Sequence, residues 1–560
     1  MTSAQIIFIF ILALGGFWAG DKISYQIRTD LEAGYEIAQV LDRFWLDLNN
    51  PFHLSLEKVD LLVGLGTIAL IGLVWAYNSV AKGTRRQGEE HGSAAWARPS
   101  QIHPFKDKKR SNNILFTASE SLSLDSRKTQ RNLNALVIGS SGSGKSRYFV
   151  LPNLHQANTS FVVTDPKGEL AAQTTPYLEQ QGYKVRCLNL IDPGLSCTYN
   201  PLAYFNDAQP EVDVMIMTEN FITNTTGKKN AGGDFWEKAE RALLNALISY
   251  IYFTKGKDGT LIDVVDLLAK MQASESNEEL KSDVDYIFDA ITETINEYDN
   301  DDEQDQWGQE AVDALNGLRF AASQYNTYTQ GAGETKKSVI ISLGVRMAPL
   351  HMAPIRKLLA TDTIEFDRVG QEKTALFLII PDTHAAFTFL VSIFYEQFFE
   401  KSIYIADHTP ERRLPYLVQC FMDEFANIGK MPSFERKIAV MRSRGISTSI
   451  IIQNFSQGKA LYKDDWETIV GNCDSLLFLG GNEKSTTEYI SKLVGKQTLA
   501  STDTSESKGR NGSWTLQNRT LGRDLITPDE VGRMDGLKCI YVLRGLPPFF
   551  SSKLLAPKLK

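Results

Sequence analysis

Gly139-Ser140-Ser141-Gly142-Ser143-Gly144-Lys145-Ser146 is a stretch of backbone suited to holding phosphate. Its glycines allow successive N–H groups to turn toward one anion, and a helix starting at Lys145 adds its positive end. In the pattern Gly-x4-Gly-Lys-Ser, the lysine reaches the β- and γ-phosphates and the serine hydroxyl ligates Mg²⁺. ATP with Mg²⁺ is therefore the expected cofactor, bound by residues 139–146 and the adjoining Arg147. Such chemistry also needs a carboxylate at the end of a neighbouring strand. Tyr416–Met422 reads as that strand, and Asp423-Glu424 follows it at once. Asp423 is expected to hold Mg²⁺ and Glu424 to polarise the attacking water. Arg442 and Arg444 end the next helix, and Gln453 ends the strand after that. Strand ends at this edge of an open α/β sheet face the ligand crevice, which makes Gln453 a candidate γ-phosphate sensor and the arginines candidate fingers. No HExxH, close histidine pair, kinase HRD or DFG, or NKxD guanine reader is present, and His351 and His384 stand alone.

These residues need a sheet to bring them together. Leu133–Ile138, Phe161–Thr164, Ala375–Ile380, Tyr416–Met422, Ile446–Ile452, Ser475–Leu479 and Cys539–Leu543 are short apolar runs of strand type. Helical stretches separate most of them, which predicts a mainly parallel sheet covered on both faces. Between Leu202 and about Glu334 the texture changes. Val284, Ile287, Phe288, Ile291 and Ile295 share one helix face, and Asp234 with Glu237 forms a capping-box pattern. No strand signal occurs there. The expected organisation is a nucleotide-binding domain in two parts, 82–202 and 336–560, with an all-α domain at 203–335 inserted between them. The insert is expected to select cargo and not to be needed for folding the sheet.

Two uncharged apolar runs precede these domains, at 4–20 and 61–81. The second is long enough for a bilayer core of about 30 Å and the first only just so. The first lacks a basic leader and an A-x-A site, which favours a membrane span over a cleaved signal peptide. Asp21–Asp60 carries four basic and eight acidic side chains, whereas Lys82–Arg110 carries eight basic and three acidic. Basic flanks stay cytoplasmic, so residues 1–81 form a two-span anchor in the cell membrane, with an external loop and the bulk of the chain in the cytoplasm. The net charge of −8 argues against an overall basic surface, though not against a local basic pore. Five scattered cysteines without a CxxC argue against a disulfide framework or a zinc ribbon.

Taken in order, Gly92-Ser-Ala-Ala-Trp-Ala97, the glycine loop, Asp165-Pro-Lys-Gly-Glu-Leu170, Asn200-Pro-Leu202, Asp423-Glu-Phe-Ala-Asn427 and the stretch Leu525–Lys553 resemble the TraG-type coupling proteins of type IV secretion in conjugation. The resemblance covers nearly the whole chain. It implies a RecA-like P-loop NTPase of α/β class with an inserted all-α domain, two N-terminal transmembrane helices and assembly as a homohexamer. It also implies an ATPase that delivers single-stranded DNA, with its relaxase and accessory proteins, to the channel subunits of a secretion machine. By motif position the family's nucleotide residues fall on Gly144, Lys145 and Ser146, its acidic pair on Asp423 and Glu424, its arginine finger on Arg442 and its glutamine sensor on Gln453. Two alternatives remain open: a nucleotide-gated docking receptor that moves nothing, and a chromosome-type DNA translocase.

Overall fold

The structure is a computed structural model describing residues 3–36, 39–40, 54–81, 88–227, 233–273, 281–301, 304, 307–506 and 514–555. The chain divides into two compact units, 1–91 with 498–521 and 92–497 with 522–560.

In the first unit, helix α1 (Ser3–Glu32) packs along helix α2 (Lys58–Ala81). Small residues allow the approach. A Cβ at Gly20 would lie 3.1 Å from the Gly64 Cα, and one at Gly64 would lie 2.9 Å from the Phe17 ring. Thr67 Oγ1 donates to the Gly16 carbonyl at 2.9 Å. Small residues four apart are the usual device for close helix contact in lipid. The open end of the hairpin is polar: buried Asp60 accepts from Ser24 Oγ and Ser55 Oγ, each at 2.6 Å, and pairs with Arg28 at 3.0 Å. Two spans were expected. Among the described residues, Lys58–Tyr77 is the one helical segment long and apolar enough to cross a membrane. The first apolar run is the front of α1, which continues through Asp21, Lys22, Arg28, Asp30 and Glu32. Its uncharged part, 4–20, stands at the short limit of what a span needs, and charged residues follow it at once. The hairpin makes its own prediction. In Gly20→Leu the added side chain forces the helices apart, so cysteines replacing Phe17 and Gly64 should cross-link about tenfold less efficiently than in the parent, at the usual cost of overpacking.

The second unit is built on a nine-stranded sheet. Its strands are β3 (Ala135–Ile138), β4 (Ser160–Asp165), β5 (Lys184–Asn189), β6 (Thr374–Ile379), β7 (Val418–Met422), β8 (Ile446–Ile452), β9 (Ser475–Phe478), β12 (Lys538–Leu543) and β13 (Phe549–Ser552). A small sheet of this unit pairs β1 (Asn113–Leu115) with β2 (Ser121–Ser123), and a further two-stranded sheet, β10 (Lys496–Glu506) with β11 (Trp514–Asp524), lies mostly in the first unit. The large sheet runs β13-β12-β9-β3-β8-β7-β4-β6-β5. From β9 to β5 every pairing is parallel, and β12 and β13 add an antiparallel edge. Side chains alternate between two cores. Leu136, Ile138, Leu376, Ile450 and Ile452 face one side, and Ala135, Val137, Phe377, Phe421 and Ile451 the other. Strands buried on both faces explain why their sequences read as unbroken apolar runs.

Between β5 and β6 the described residues form helices and turns only. The longer helices are α3 (Pro210–Thr225), α4 (Gly233–Lys255), α5 (Leu261–Leu268), α6 (Asp283–Asp299), α7 (Gln309–Thr329) and α8 (Gly333–Arg346). The expected boundary at 335 falls inside α8. The helical part also shares its core with the sheet. Leu243, Leu247 and Val265 belong to the same continuous cluster as Leu136, Leu376 and Ile450. Helix α3 lies against α9 (Thr388–Asp407), and Phe221 meets Phe389 edge-on at 5.0 Å. Excising this part would therefore expose apolar side chains of that shared cluster.

Candidate nucleotide site

The glycine loop leaves β3 and enters a short π-helical turn, Ser146–Val150. Gly142 and Gly144 have φ of +78° and +85°, a region costly to residues with a Cβ. The loop therefore curls, with the Gly139, Ser140 and Ser143 amides donating to the Ile452, Gly480 and Ser140 carbonyls. Lys145 is buried, and its Nζ donates to the Gly139 carbonyl at 3.1 Å and lies 3.4 Å from Glu424 Oε1. Ser146 Oγ donates to Asp423 Oδ2 at 2.8 Å.

Asp423 and Glu424 follow β7. That strand is not the immediate neighbour of β3, as the sequence suggested, because β8 runs between them. Two strand spacings, about 10 Å, thus separate the loop strand from the acidic strand. The end of β8 fills the gap with Gln453, whose Nε2 donates to both Glu424 carboxylate oxygens at 3.1 and 3.0 Å. Glu424 adopts the left-handed region at φ +49°, an unusual state for a residue with a side chain. Its N–H donates to Asp423 Oδ1 at 3.0 Å. Burial pushes the Asp423 carboxyl above its ordinary pKa, opposed by the Ser146 hydrogen bond and the Lys145 charge.

The sheet thus gathers residues 140–142 and 144–147, Asp423, Glu424 and Gln453 around one open cleft of about 990 Å³, with Gly139 and Ser143 set back from its lining. Three further residues there were given no role at the level of sequence. Asp165 ends β4, and its Oδ2 accepts from the Ala171 amide at 2.8 Å. Burial raises its pKa against four backbone N–H bonds. Lys167 and Asp382 line the same wall. The position of Asp165 at a strand end in the DPKGE motif was the available signal.

Arg442 lies elsewhere. It sits near the end of α10 (Phe434–Arg444), which leads into the start of β8, while the cleft lies at the other end of that strand. Seven residues of strand place it about 20 Å from its own glycine loop. Its Nη2 donates to the Ser126 carbonyl at 3.0 Å. Arg444 is held by Asp407 through two bonds, at 2.9 and 2.8 Å.

The cleft suits a Mg-nucleotide. A glycine-rich turn, a lysine and a helix start match phosphate, and a hydroxyl beside a buried carboxylate matches the oxygen preference of Mg²⁺. The Ser143 hydroxyl is buried in the loop without a hydrogen-bond partner.

A parallel sheet carrying a glycine loop on one strand and an acidic pair two strands away defines a P-loop protein of α/β class. The chain belongs to the type IV secretory system conjugative DNA transfer family, whose model matches residues 96–556. Conjugal transfer protein TraG of Rhizobium radiobacter is 23% identical over 429 residues, covering 74% of this chain and 60% of TraG. Protein VirD4 of the same species is 23% identical over 524 residues, covering 90% of this chain and 69% of VirD4. The chain thus spans 60% and 69% of the length of these two relatives. Among solved structures, plasmid coupling protein TrwB in complex with ADP and Mg²⁺ shares the fold, with a TM-score of 0.52 at 14% identity over 83% of this chain and 93% of TrwB.

Proposed function

We propose that this protein is a membrane-anchored ATPase of a conjugation machine, which recruits a relaxase-bound single strand of DNA and drives it into a type IV secretion channel. The observation that carries the reading is the meeting of the glycine loop with Asp423, Glu424 and Gln453 at one sheet edge, in a chain of the conjugative DNA transfer family. Residues 139–147 bind the phosphates, with Lys145 neutralising the terminal one. Ser146 and Asp423 hold Mg²⁺, which when bound offsets phosphate charge. Glu424 orients the attacking water and accepts its proton. Gln453, bonded to both Glu424 oxygens, keeps that carboxylate aimed and registers its displacement. The close packing of α1 on α2 supports α1 as a second span, and the charge asymmetry of the flanks supports a cytoplasmic location for the bulk of the chain. Helices of the insert, residues 203–335, recruit the relaxase and its accessory proteins, and the active form is a homohexamer.

Turnover by the full chain in detergent, with and without single-stranded DNA, tests the reading. Hydrolysis stimulated by DNA is expected. Firm ATP binding with no turnover under either condition would leave a docking receptor in place of a motor.

A second expectation concerns Arg442, which serves the neighbouring subunit. Among the described residues no carboxylate pairs with it, and it stands at the sheet edge remote from its own loop. A finger supplied in trans is worth about 10³–10⁵ in rate. Mixed rings of Lys145→Ala and Arg442→Ala should recover part of the activity that each lacks alone, because some interfaces then join an intact loop to an intact arginine. Mixed rings with no recovery, together with normal hydrolysis by Arg442→Ala alone, would make it an ordinary surface charge.

A further inference from the structure

Lys553 follows directly on β13 and is 7% exposed, although nothing in the proposed chemistry uses it. Its backbone N–H is fixed to the Leu537 carbonyl at 2.8 Å. Its side chain turns to the glycine loop, where Nζ donates to the Ser143 carbonyl at 2.8 Å and lies 5.4 Å from the centre of the Tyr148 ring. Among the described residues no carboxylate pairs with it. Burial pulls its pKa below the ordinary lysine range. A cation held under those conditions depends on the carbonyl and the ring face for its stabilisation.

Ser143 is flanked by Gly142 and Gly144, both in the left-handed region. The 143–144 peptide turns about the Ser143 ψ and the Gly144 φ, and a glycine on its C-terminal side lowers the resistance to a flip. The peptide is planar and trans, so its C=O and N–H point in opposite directions. Holding the Ser143 oxygen to Lys553 therefore aims the Gly144 N–H the other way, toward the cleft that Gly144 lines. The ammonium also polarises that peptide and strengthens its N–H as a donor.

We propose that Lys553 is a positioning residue for phosphate binding, locking the 143–144 peptide so that the Gly144 N–H faces the phosphates of a nucleoside di- or triphosphate. This rests on the reading of the cleft as a Mg-nucleotide site. It makes the segment after the last strand a working part of the loop, 410 residues distant in sequence.

The test measures binding of ADP with Mg²⁺ by calorimetry and the unfolding midpoint without nucleotide, using the full chain. K553M should weaken ADP binding about tenfold, the scale of one charge-assisted hydrogen bond, with an unchanged nucleotide-free midpoint. K553R, which retains charge and donors, should recover most of the affinity. If K553M does not fold, K553Q takes its place in the comparison with K553R. Equal affinity in the neutral variant and the parent overturns the inference, and so does a loss that tracks a fallen midpoint and is not rescued by arginine. A folded parent that binds no ADP overturns the nucleotide reading itself, and the role of Lys553 with it.

Discussion

Lys145→Ala is expected to fold and insert in the membrane yet lose ATP turnover by about 10³-fold or more, with DNA transfer abolished. In the proposed reading Lys145 is the glycine-loop cation that meets the terminal phosphate, and it sits buried between the Gly139 carbonyl and Glu424. Charge delivered in such a site is worth far more than in water, because little solvent competes for it. Removing it also leaves Glu424 without its nearest cation. Turnover and membrane insertion of the purified variant, measured side by side, check this. Unchanged DNA-stimulated hydrolysis would remove Lys145 from the machinery.

Glu424→Gln separates binding from chemistry. The amide keeps the shape of the side chain but cannot take a proton from water, so ATP should bind nearly as in the parent while turnover falls by about 10²-fold or more. The carboxylate also anchors two neighbours, Lys145 and Gln453. A glutamine can still accept from one of them, so the site should keep its form. ATP affinity measured beside single-turnover hydrolysis decides the matter. Equal losses in both would make Glu424 a structural residue.

The parts of the site written in local sequence were legible without coordinates. A glycine loop declares itself in eight residues, because each residue type meets a local backbone or phosphate demand, and an acidic pair after an apolar run is equally compact. What depends on distant partners was not legible. That β8 lies between β3 and β7 follows from pairing across some 300 residues, and no local pattern encodes it. Strand β5 escaped notice because Lys184-Val-Arg-Cys-Leu-Asn189 is a half-exposed edge strand without a continuous apolar run. Strands β10 and β11 are mostly polar, with Thr and Ser prominent in the first and Thr, Gln, Asn and Arg in the second, and polar hairpins carry little hydrophobic signal. The helical periodicity of residues 203–335 marked them as an insert but gave no sign of what their apolar faces pack against. Those helices bury their apolar faces in the sheet's own core.

The central position of β3 has a consequence for synthesis. This strand ends at Ile138, and the two strands that flank it begin only at Ile446 and Ser475. At about 5–20 residues per second, a ribosome needs roughly 15–60 s to make the intervening chain. During that interval the phosphate loop has left the ribosome without a scaffold, while Lys58–Tyr77 is already available to the bilayer. The nascent protein is thus tethered before its engine exists. Through that interval the apolar strand β3 lacks both of its neighbours in the sheet. A chain terminated in that interval would carry the apolar helical segment Lys58–Tyr77 and the glycine loop but neither Asp423 nor Glu424.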